Sequence, residues 1–376
     1  MSVQVQQVTN RADLKRWVKV PYGLYEGNPY YIPELFSDEL AYFDQRKNPA
    51  FEISDVRLLL AVDNQKLVGR VCVIINSLET RKLGYKRGRF GWFECVNDQQ
   101  VADLLLDSAK DWCHEMGCAE MTGPHGFTDL DAEGLLIEGF DHLPTISGSY
   151  NHPYYRKLIE NYGFEKDSDY VEFRSRVPRE YPLLERIRKR YAGNEDYKVV
   201  TCKNRKELLS HADAFWDLLE TCFEPLYGVT PLSRKQTEFY TKKYFGYLDP
   251  NYAKLTFSKE GELVGFFIGM PNLSHSFKRA NGRLLPFGLL HIFREYRKPE
   301  TIDFLLAGVK PGEPSGLIIA ISTVEMYDTF RQHGIRYMET NRELEENTTV
   351  TSIWSKFERV WFRRSRVYRL DLHQDT

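Results

Sequence analysis

The sequence predicts two copies of one α/β (α+β) domain arranged in tandem, and two observations support this prediction. Each half contains a hairpin pattern whose return strand opens with Leu-Val-Gly, at residues 67–69 and again at 263–265. Each half also contains a helical pattern headed by an asparagine, Asn151 or Asn347. Both pairs are 196 positions apart (263 − 67 and 347 − 151). Two unrelated motifs that share one offset indicate an internal repeat.

Local patterns predict the elements of the first half. They indicate, in order, a hairpin over residues 56–76, a strand over 89–96, a helix over 99–116, a helix over 151–164 and a strand over 170–177. Asn64 is a turn residue between two alternating apolar runs, which is typical of a hairpin. Gly117 suits the left-handed backbone that often ends a helix.

The second half repeats this order with different connections. It contains a hairpin over residues 252–270, a strand over 301–309, a helix over 316–333 and, from Asn347, a helix over 347–357 and a strand over 367–372. Gly334 takes the place of the earlier helix-ending glycine. A proline-bearing charged stretch over 178–182 indicates a boundary, so the predicted domains are 1–178 and 179–376.

The first half carries 21 more residues than the second between its helix-ending glycine and its asparagine, and they fall within 123–150. A long insert in a compact domain is often functional, so we expect this one to cover a cleft. Its histidines and carboxylates, among them His125 and Asp129, fit no standard ligand signature, so no metal site is predicted.

Composition excludes several function classes. The 51 basic and 53 acidic residues give a net charge of −2, which lacks the footprint of a nucleic-acid partner. The six cysteines show no zinc-ribbon spacing and are predicted to be buried free thiols in a reducing compartment. Without a leader pattern or a run of about 20 apolar residues, the protein is expected to be cytoplasmic. Peripheral contact with a membrane stays open.

The order of elements resembles the GNAT acyltransferase superfamily in a tandem arrangement. Four stretches of the first half are similar to a bacterial group known only as GNAT-like: PYGLYEGNPYYIPEL (21–35), KNPAFE (47–52), GWFECVND (91–98) and GLLIEGFD (134–141). The resemblance implies two domains, each a twisted mixed sheet flanked by helices. It also implies an N-acyltransferase that moves an acyl group from acetyl-CoA or a longer acyl-CoA to an amine. Some GNAT-like bacterial proteins acylate long-chain amines, which extends the expected acceptor to a lipid amine.

The resemblance also suggests where a cofactor would lie. The superfamily's loop reads Val-x-Pro-x-x-Arg-x-x-Gly-x-Gly, and its backbone amides hold a pyrophosphate at a helix N-terminus. In the second half Val309 and Pro311 match, Pro314 replaces the arginine, and Gly316 arrives one residue early. The first half has Asp98, a good N-cap that would occupy those amides. The predicted cofactor-binding residues are therefore Val309, Lys310, Gly312, Ser315, Gly316 and Asn347. The alternative is an ordinary glycine-rich turn.

The catalytic prediction also follows from the resemblance. GNAT enzymes usually have a tyrosine four residues before the glycine of Gly-Phe, where it can protonate the leaving thiolate. Ile159 occupies that position here, so Tyr155 or Tyr368 is the candidate acid. Because GNAT enzymes often use a carboxylate after the strand that precedes the asparagine, Glu343 or Glu345 is the candidate base. Strand alternation would place Glu339, Asn341 and Glu343 on one face. A core role for Tyr155 and a solvated acidic loop remain the plainer alternatives.

Two other functions stay open from the sequence. The degenerate cofactor loop and the missing tyrosine favour a non-catalytic ligand-binding protein on a GNAT scaffold. A tRNA-dependent aminoacyl transferase of the tandem kind is the other alternative, and the nearly neutral charge counts against it.

Overall fold

The computed structural model describes residues 3–245, 247–283, 288–347, 354 and 357–373. The strands are β1 (Val3–Gln7), β2 (Ser54–Asp63), β3 (Lys66–Asn76), β4 (Arg87–Cys95), β5 (Glu120–Gly123), β6 (Leu135–Glu138), β7 (Glu165–Arg176), β8 (Tyr197–Val200), β9 (Ala253–Ser258), β10 (Leu263–Pro271), β11 (Thr301–Val309), β12 (Tyr337–Thr340), β13 (Glu343–Leu344) and β14 (Arg359–Asp371).

The helices flank this sheet. They are α1 (Arg11–Leu24), α2 (Phe36–Tyr42), α3 (Ser77–Leu83), α4 (Gln99–Glu115), α5 (Tyr154–Tyr162), α6 (Pro182–Tyr191), α7 (Arg205–Ser210), α8 (Ala212–Phe223), α9 (Arg234–Tyr240), α10 (Ser274–Ala280), α11 (Gly288–Arg297) and α12 (Ser315–His333). Short 3₁₀ helices lie at Pro49–Glu52 and Pro250–Tyr252, and a π-helical turn lies at Thr241–Phe245.

All of these strands belong to one mixed sheet whose order is symmetric about its centre. The order is β1-β2-β3-β4-β5-β14-β7-β12-β11-β10-β9-β8, with β6 on β14 and β13 on β7. Each half supplies two antiparallel hairpin strands and one parallel pair, β4 with β5 and β11 with β12. The predicted repeat of hairpin, strand, helix and strand is therefore present in both halves.

The two halves exchange their last strands. β7 closes the first half but pairs with β12 of the second, while β14 closes the second half and pairs with β5 of the first. β7 and β14 then pair with each other along the centre of the sheet. The division at residues 178 and 179 stays a prediction about chain organisation, and the hydrogen bonding of the sheet crosses it.

Local signals account for the element boundaries. The β2–β3 hairpin turns at Asn64 and Gln65, which both have positive φ, a backbone that suits a two-residue turn. The α4 helix is capped by Asp98, whose side chain accepts from the Gln100 amide, and α12 ends at Gly334 in the left-handed conformation.

The role of Asn151 differs from the prediction of an asparagine-headed helix. The α5 helix begins after Pro153 and has no side-chain cap. Asn151 instead bonds both backbone groups of Leu136, accepting from its amide at 2.7 Å and donating to its carbonyl at 3.1 Å. It therefore fastens β6 of the insert to the start of α5. Most of the helix predicted after Asn347 lies outside the described residues.

Candidate active site

A gap opens in the sheet where β11 and β12 stop pairing. The two strands pair in parallel only over Thr301–Phe304 and Tyr337–Thr340. Leu305 is an extra residue in β11 relative to β10, and such a bulge bends a strand and re-aims its backbone. Beyond Leu305, β11 and the segment that follows β12 diverge and leave a cavity of about 510 Å³ between them. The edge of β11 over 305–309, which pairs with no strand among the described residues on this side, lines one side. Residues 341–344 and Asn347 line the other.

Most of the cavity wall is apolar. The wall includes side chains from β11, α6 and the residue before it, α8 and α12: Phe304, Leu306, Val309, Tyr181, Leu184, Cys222, Phe223, Ile319, Met326 and Phe330. Trp354 and Phe357 also contribute. A space of this size and composition is typical of a site for a small molecule with a large apolar portion.

Glu343 is the acidic group placed for chemistry in this wall. It follows β12 and begins the short strand β13. Trp354 donates from Nε1 to Glu343 Oε1 at 2.6 Å, while Oε2 is buried and has no hydrogen-bond partner in the part of the chain that the structure describes. Burial raises the pKa of Glu343 to about 8, and the Trp354 hydrogen bond opposes part of that rise. Glu343 is thus a carboxylate of increased basicity with one oxygen unengaged.

A second acidic group reaches the cavity from the insert of the first half. Asp129 lines the wall, and burial together with the charge of Glu133 raises its pKa to about 7. Glu133, in contrast, accepts from His125 Nδ1 at 3.1 Å. Although burial raises the pKa of Glu133, that hydrogen bond and nearby arginines bring it below its ordinary value. The insert therefore forms part of a cleft wall, as predicted.

Arg342 fixes this insert to the second half. Its guanidinium donates to the carbonyl oxygens of Asp131, at 2.7 Å, and Glu133, at 3.2 Å. Asn341, the residue before it, donates to the carbonyl of Leu305 at 3.2 Å. The segment that carries Glu343 is therefore fastened to both the insert and the bulge of β11.

The N-terminus of α12 opens at the same cavity. Val309 and Ser315 both line the cavity, and the helix starts after Pro314 with no side-chain cap and no acidic residue in its first turn. Free amide groups at the start of a helix of this length attract an anion. The first half differs, because Asp98 occupies an amide at the start of α4.

Of the four remaining predicted cofactor residues, one lines the cavity, while Lys310, Gly312 and Gly316 are not part of its wall. Asn347 lines the cavity. Gly312 has a φ of +89° and open space around it, and Gly316 also has open space where a Cβ would lie. The Nζ of Lys310 pairs with Glu262 at 2.5 Å on the surface. The Lys310 charge is therefore already paired with the Glu262 carboxylate.

Three predicted catalytic residues do not line the cavity. Tyr155 is fully buried in the first-half core, where its hydroxyl accepts from the Cys95 amide and donates to Glu94. Tyr368 lies in the same core because the exchange carries β14 into the first half. Glu345 pairs with Arg364 at 2.6 Å, with 39% of its side chain exposed. Of the predicted catalytic set, Glu343 alone reaches the cavity wall.

The equivalent edge in the first half is occupied by protein groups. β4 pairs with β5 only over Arg87–Arg89. Beyond that point the His125 amide donates to the Phe90 carbonyl at 2.8 Å. Tyr154 donates to the Cys95 carbonyl at 2.8 Å, and Tyr155 accepts from the Cys95 amide at 3.0 Å. Tyrosines of α5 therefore take the backbone groups that a ligand would use, which favours the second half as the ligand site.

The strand alternation predicted for Glu339, Asn341 and Glu343 holds for the last two. Both line the cavity, whereas Glu339 is buried and pairs with Arg174 at 3.2 Å. Sequence reasoning missed Asp129 and Trp354 as site residues. The position of Asp129 in a glycine-rich insert was the available signal, since that insert was predicted to cover a cleft.

Two structural features bear on the wider expectations. Among the residues that the structure describes, no group of three or more His, Cys, Asp or Glu is placed to hold a metal ion. Within the same residues no helix has both the length and the hydropathy that crossing a bilayer requires.

The six cysteines are all free, and five of them are buried, which confirms the prediction of free thiols.

Comparison with known proteins places these features in context. No family model matches the sequence. Protein YghO of Escherichia coli (strain K12) is 25% identical over 377 residues, which cover 97% of this chain and 94% of the relative. The bacterial ceramide synthase of Caulobacter vibrioides (strain NA1000 / CB15N) is 25% identical over 288 residues, which cover 76% of this chain and 74% of that protein.

Among solved structures, the chain is similar to a tandem GNAT protein from the clavulanic acid biosynthesis pathway, solved without AcCoA. The TM-score is 0.56 at 12% identity, and the alignment covers 99% of each chain. At this identity the likeness concerns the fold alone.

Proposed function

We propose that this chain, which has the tandem GNAT fold, is an N-acyltransferase that moves an acyl group, preferably a long one, from acyl-CoA to an amine. One observation carries the proposal. The cavity between β11 and residues 341–347 combines a free strand edge, a largely apolar wall and the buried carboxylate of Glu343. Binding, acyl-chain accommodation and proton removal can therefore occur in one place.

The donor would lie along the free edge of β11. A strand edge offers backbone N–H and C=O groups, and an extended ligand with amide groups pairs with such an edge as an added strand does. The pantetheine arm of CoA contains two amides that could pair with this edge. The phosphates of CoA suit the uncapped start of α12 near Ser315. The acyl chain would occupy the apolar wall formed by Phe304, Met326 and Phe330.

Acyl transfer then needs one proton to pass from the amine to the leaving thiolate by way of the cavity wall. The amine nitrogen attacks the thioester carbonyl, the C–N bond forms, and the C–S bond breaks to release the CoA thiolate. Glu343 takes the proton from the nitrogen and returns it to the thiolate. A carboxyl whose pKa is near 8 is well matched to a thiol, whose ordinary pKa is about 8.5. This role for Glu343 replaces the tyrosine acid expected from the sequence.

The acceptor would enter from the insert side. A second cavity of about 400 Å³ shares Asp129, Phe223 and Val229 with the first. Four further carboxylates line that second cavity, against the cations of Lys82 and Arg234: Asp213, Asp217, Glu220 and Glu224. A wall with this charge excess raises the local concentration of a cationic amine. Asp129 stands where the two cavities meet and would take a proton from the ammonium group, which leaves the neutral amine that attacks the thioester.

A relative supports the choice of substrate class. The Caulobacter protein, 25% identical over 76% of this chain, is named a ceramide synthase, and a ceramide is an amide of a long-chain amine. The apolar wall described above independently suits a long acyl chain or a long-chain amine.

Donor binding is the first test. In titration calorimetry we expect a long-chain acyl-CoA to bind the wild-type chain and Gly316→Asp to weaken that binding by about tenfold or more. The added carboxylate would stand at the first turn of α12, where it repels phosphate and competes for the free amides. Gly316 has open space at its Cβ, so the substitution should leave the fold intact.

Gly193→Asp is the matched control, because Gly193 is also exposed and has no atom within 4 Å of an added Cβ. It should bind acyl-CoA as the wild type does. Absence of binding by the wild type would refute the donor assignment. Equal affinity of Gly316→Asp and Gly193→Asp for acyl-CoA would show that the phosphates do not bind at the start of α12.

A further inference from the structure

The α11 helix presents an apolar face to solvent. Leu289, Leu290 and Phe293 are 50%, 66% and 54% exposed. Their spacing places them on one side of the helix, since residues one and four apart span a single face of about 100°. The adjoining side packs on the second-half core through Ile292 and Tyr296. A ten-residue helix therefore has two apolar faces, of which one is covered.

The surroundings of this face are strongly basic. In the described residues 274–283 and 288–298 there are six cations: Lys278, Arg279, Arg283, Arg294, Arg297 and Lys298. The Lys278 ammonium donates to the carbonyl oxygens of Asn28 and Tyr31, so the other five form the basic surface. Glu295 is the single carboxylate of those two ranges, and it turns inward to accept from the Ser276 amide at 3.0 Å. The chain as a whole carries a net charge of −2, so the cations are concentrated here.

The arrangement of cations around the apolar residues indicates what covers them. Arg294 and Arg297 lie on the exposed side of α11, and the Arg297 guanidinium stands 4.3 Å from the centre of the Phe293 ring. An exposed helix face with Leu and Phe at its centre and arginines at its edge is typical of a helix that lies in the interface of an anionic bilayer. A second copy of the chain fits less well, because a two-fold contact would set the two basic surfaces against each other.

We propose that α11 docks the protein on an anionic membrane surface, with Leu289, Leu290 and Phe293 entering the interface and the basic residues contacting lipid phosphates. Docking of this kind does not depend on acyl transfer and is measured without any substrate. It would place the enzyme where long-chain lipids are held.

Vesicle co-sedimentation tests this proposal. We expect the full chain to bind phosphatidylcholine vesicles containing about one third phosphatidylglycerol, to bind pure phosphatidylcholine vesicles much less, and to dissociate as salt is raised. The double variant Leu290→Asp/Phe293→Asp should lose binding by about tenfold or more, because it sets two charges in the apolar interface. Arg294→Gln/Arg297→Gln should bind the anionic vesicles more weakly than the wild type does, while its binding to pure phosphatidylcholine vesicles should stay unchanged.

Val360→Asp is the control, since Val360 is 45% exposed on β14 and outside α11. It should bind vesicles as the wild type does, and all variants should unfold at the wild-type temperature. Failure of the wild type to bind anionic vesicles would overturn the proposal, as would unchanged binding by the double aspartate variant. A concentration-dependent dimer in sedimentation velocity that the double aspartate variant abolishes would assign the face to a second copy instead.

Discussion

Glu343→Gln should lower kcat for acyl transfer by about 100-fold or more while changing the KM for acyl-CoA by no more than a few-fold. Glutamine keeps the shape of the side chain and an oxygen that accepts the Trp354 Nε1 hydrogen bond, so the cavity wall should persist. It cannot take a proton from the amine. Product formation from a long-chain acyl-CoA and a long-chain amine, followed by mass spectrometry, measures this loss.

The pH dependence sharpens this prediction. A base acts when deprotonated, so the rate should rise with pH through the pKa of Glu343, which burial brings to about 8. In Glu343→Gln that limb should be absent. Glu345→Gln is the control, since Glu345 is partly exposed and pairs with Arg364, and its rate should stay near that of the wild type. A glutamine variant of Glu343 with wild-type kcat would exclude Glu343 as the base.

Arg89→Met should cost about 3 kcal/mol of the free energy of unfolding, because it removes the partner that bonds both oxygens of a buried carboxylate and leaves Glu79 with the longer contact to Arg87, at 3.4 Å. The Arg89 side chain is fully buried and bonds both oxygens of Glu79, at 2.9 and 2.7 Å. It also donates to the carbonyl of Gly228 at 2.7 Å. Arg89 thus joins the first-half sheet to the segment beside Tyr227 and Val229, which line the active-site cavity. Urea unfolding of the full chain measures this cost.

The double variant Arg89→Met/Glu79→Leu separates the pair from its surroundings. Replacing both charges with apolar groups should recover most of the lost stability, since the desolvation of Glu79 disappears together with its partner. A loss below about 1 kcal/mol in Arg89→Met alone would contradict the buried-pair account. So would a double variant that is less stable than the single one.

Local signals were enough to predict the elements that the two halves share, namely the hairpins, the strands before α4 and α12, these two helices and the closing strands. The hairpin turn at Asn64 and the end of α12 at Gly334 depend on backbone conformations that neighbouring residues specify. The prediction of a helix headed by Asn151 was wrong for a local reason, because the helix begins only after Pro153. Its amide was instead available to bond Leu136, a partner 15 positions away.

The exchange of β7 and β14 could not be predicted from the repeat. Two similar halves supply similar closing strands, and local pattern does not decide which sheet each strand joins. That choice explains why Tyr368 lies with the first-half core. Glu343 and Glu345 were both candidate bases from the sequence because they follow a strand in a recognisable order, and the role of Glu343 stays a prediction. Asp129 and Trp354 meet the cavity only through tertiary contacts.

A crystal structure of the chain with a non-hydrolysable thioether analogue of a long-chain acyl-CoA tests the central claim most directly. The account predicts that the pantetheine arm lies along β11 beyond Leu305, with the phosphates at Ser315 and Gly316 and the reactive carbon facing Glu343. Analogue bound elsewhere, or side chains closing the gap between β11 and residues 341–347, would contradict it.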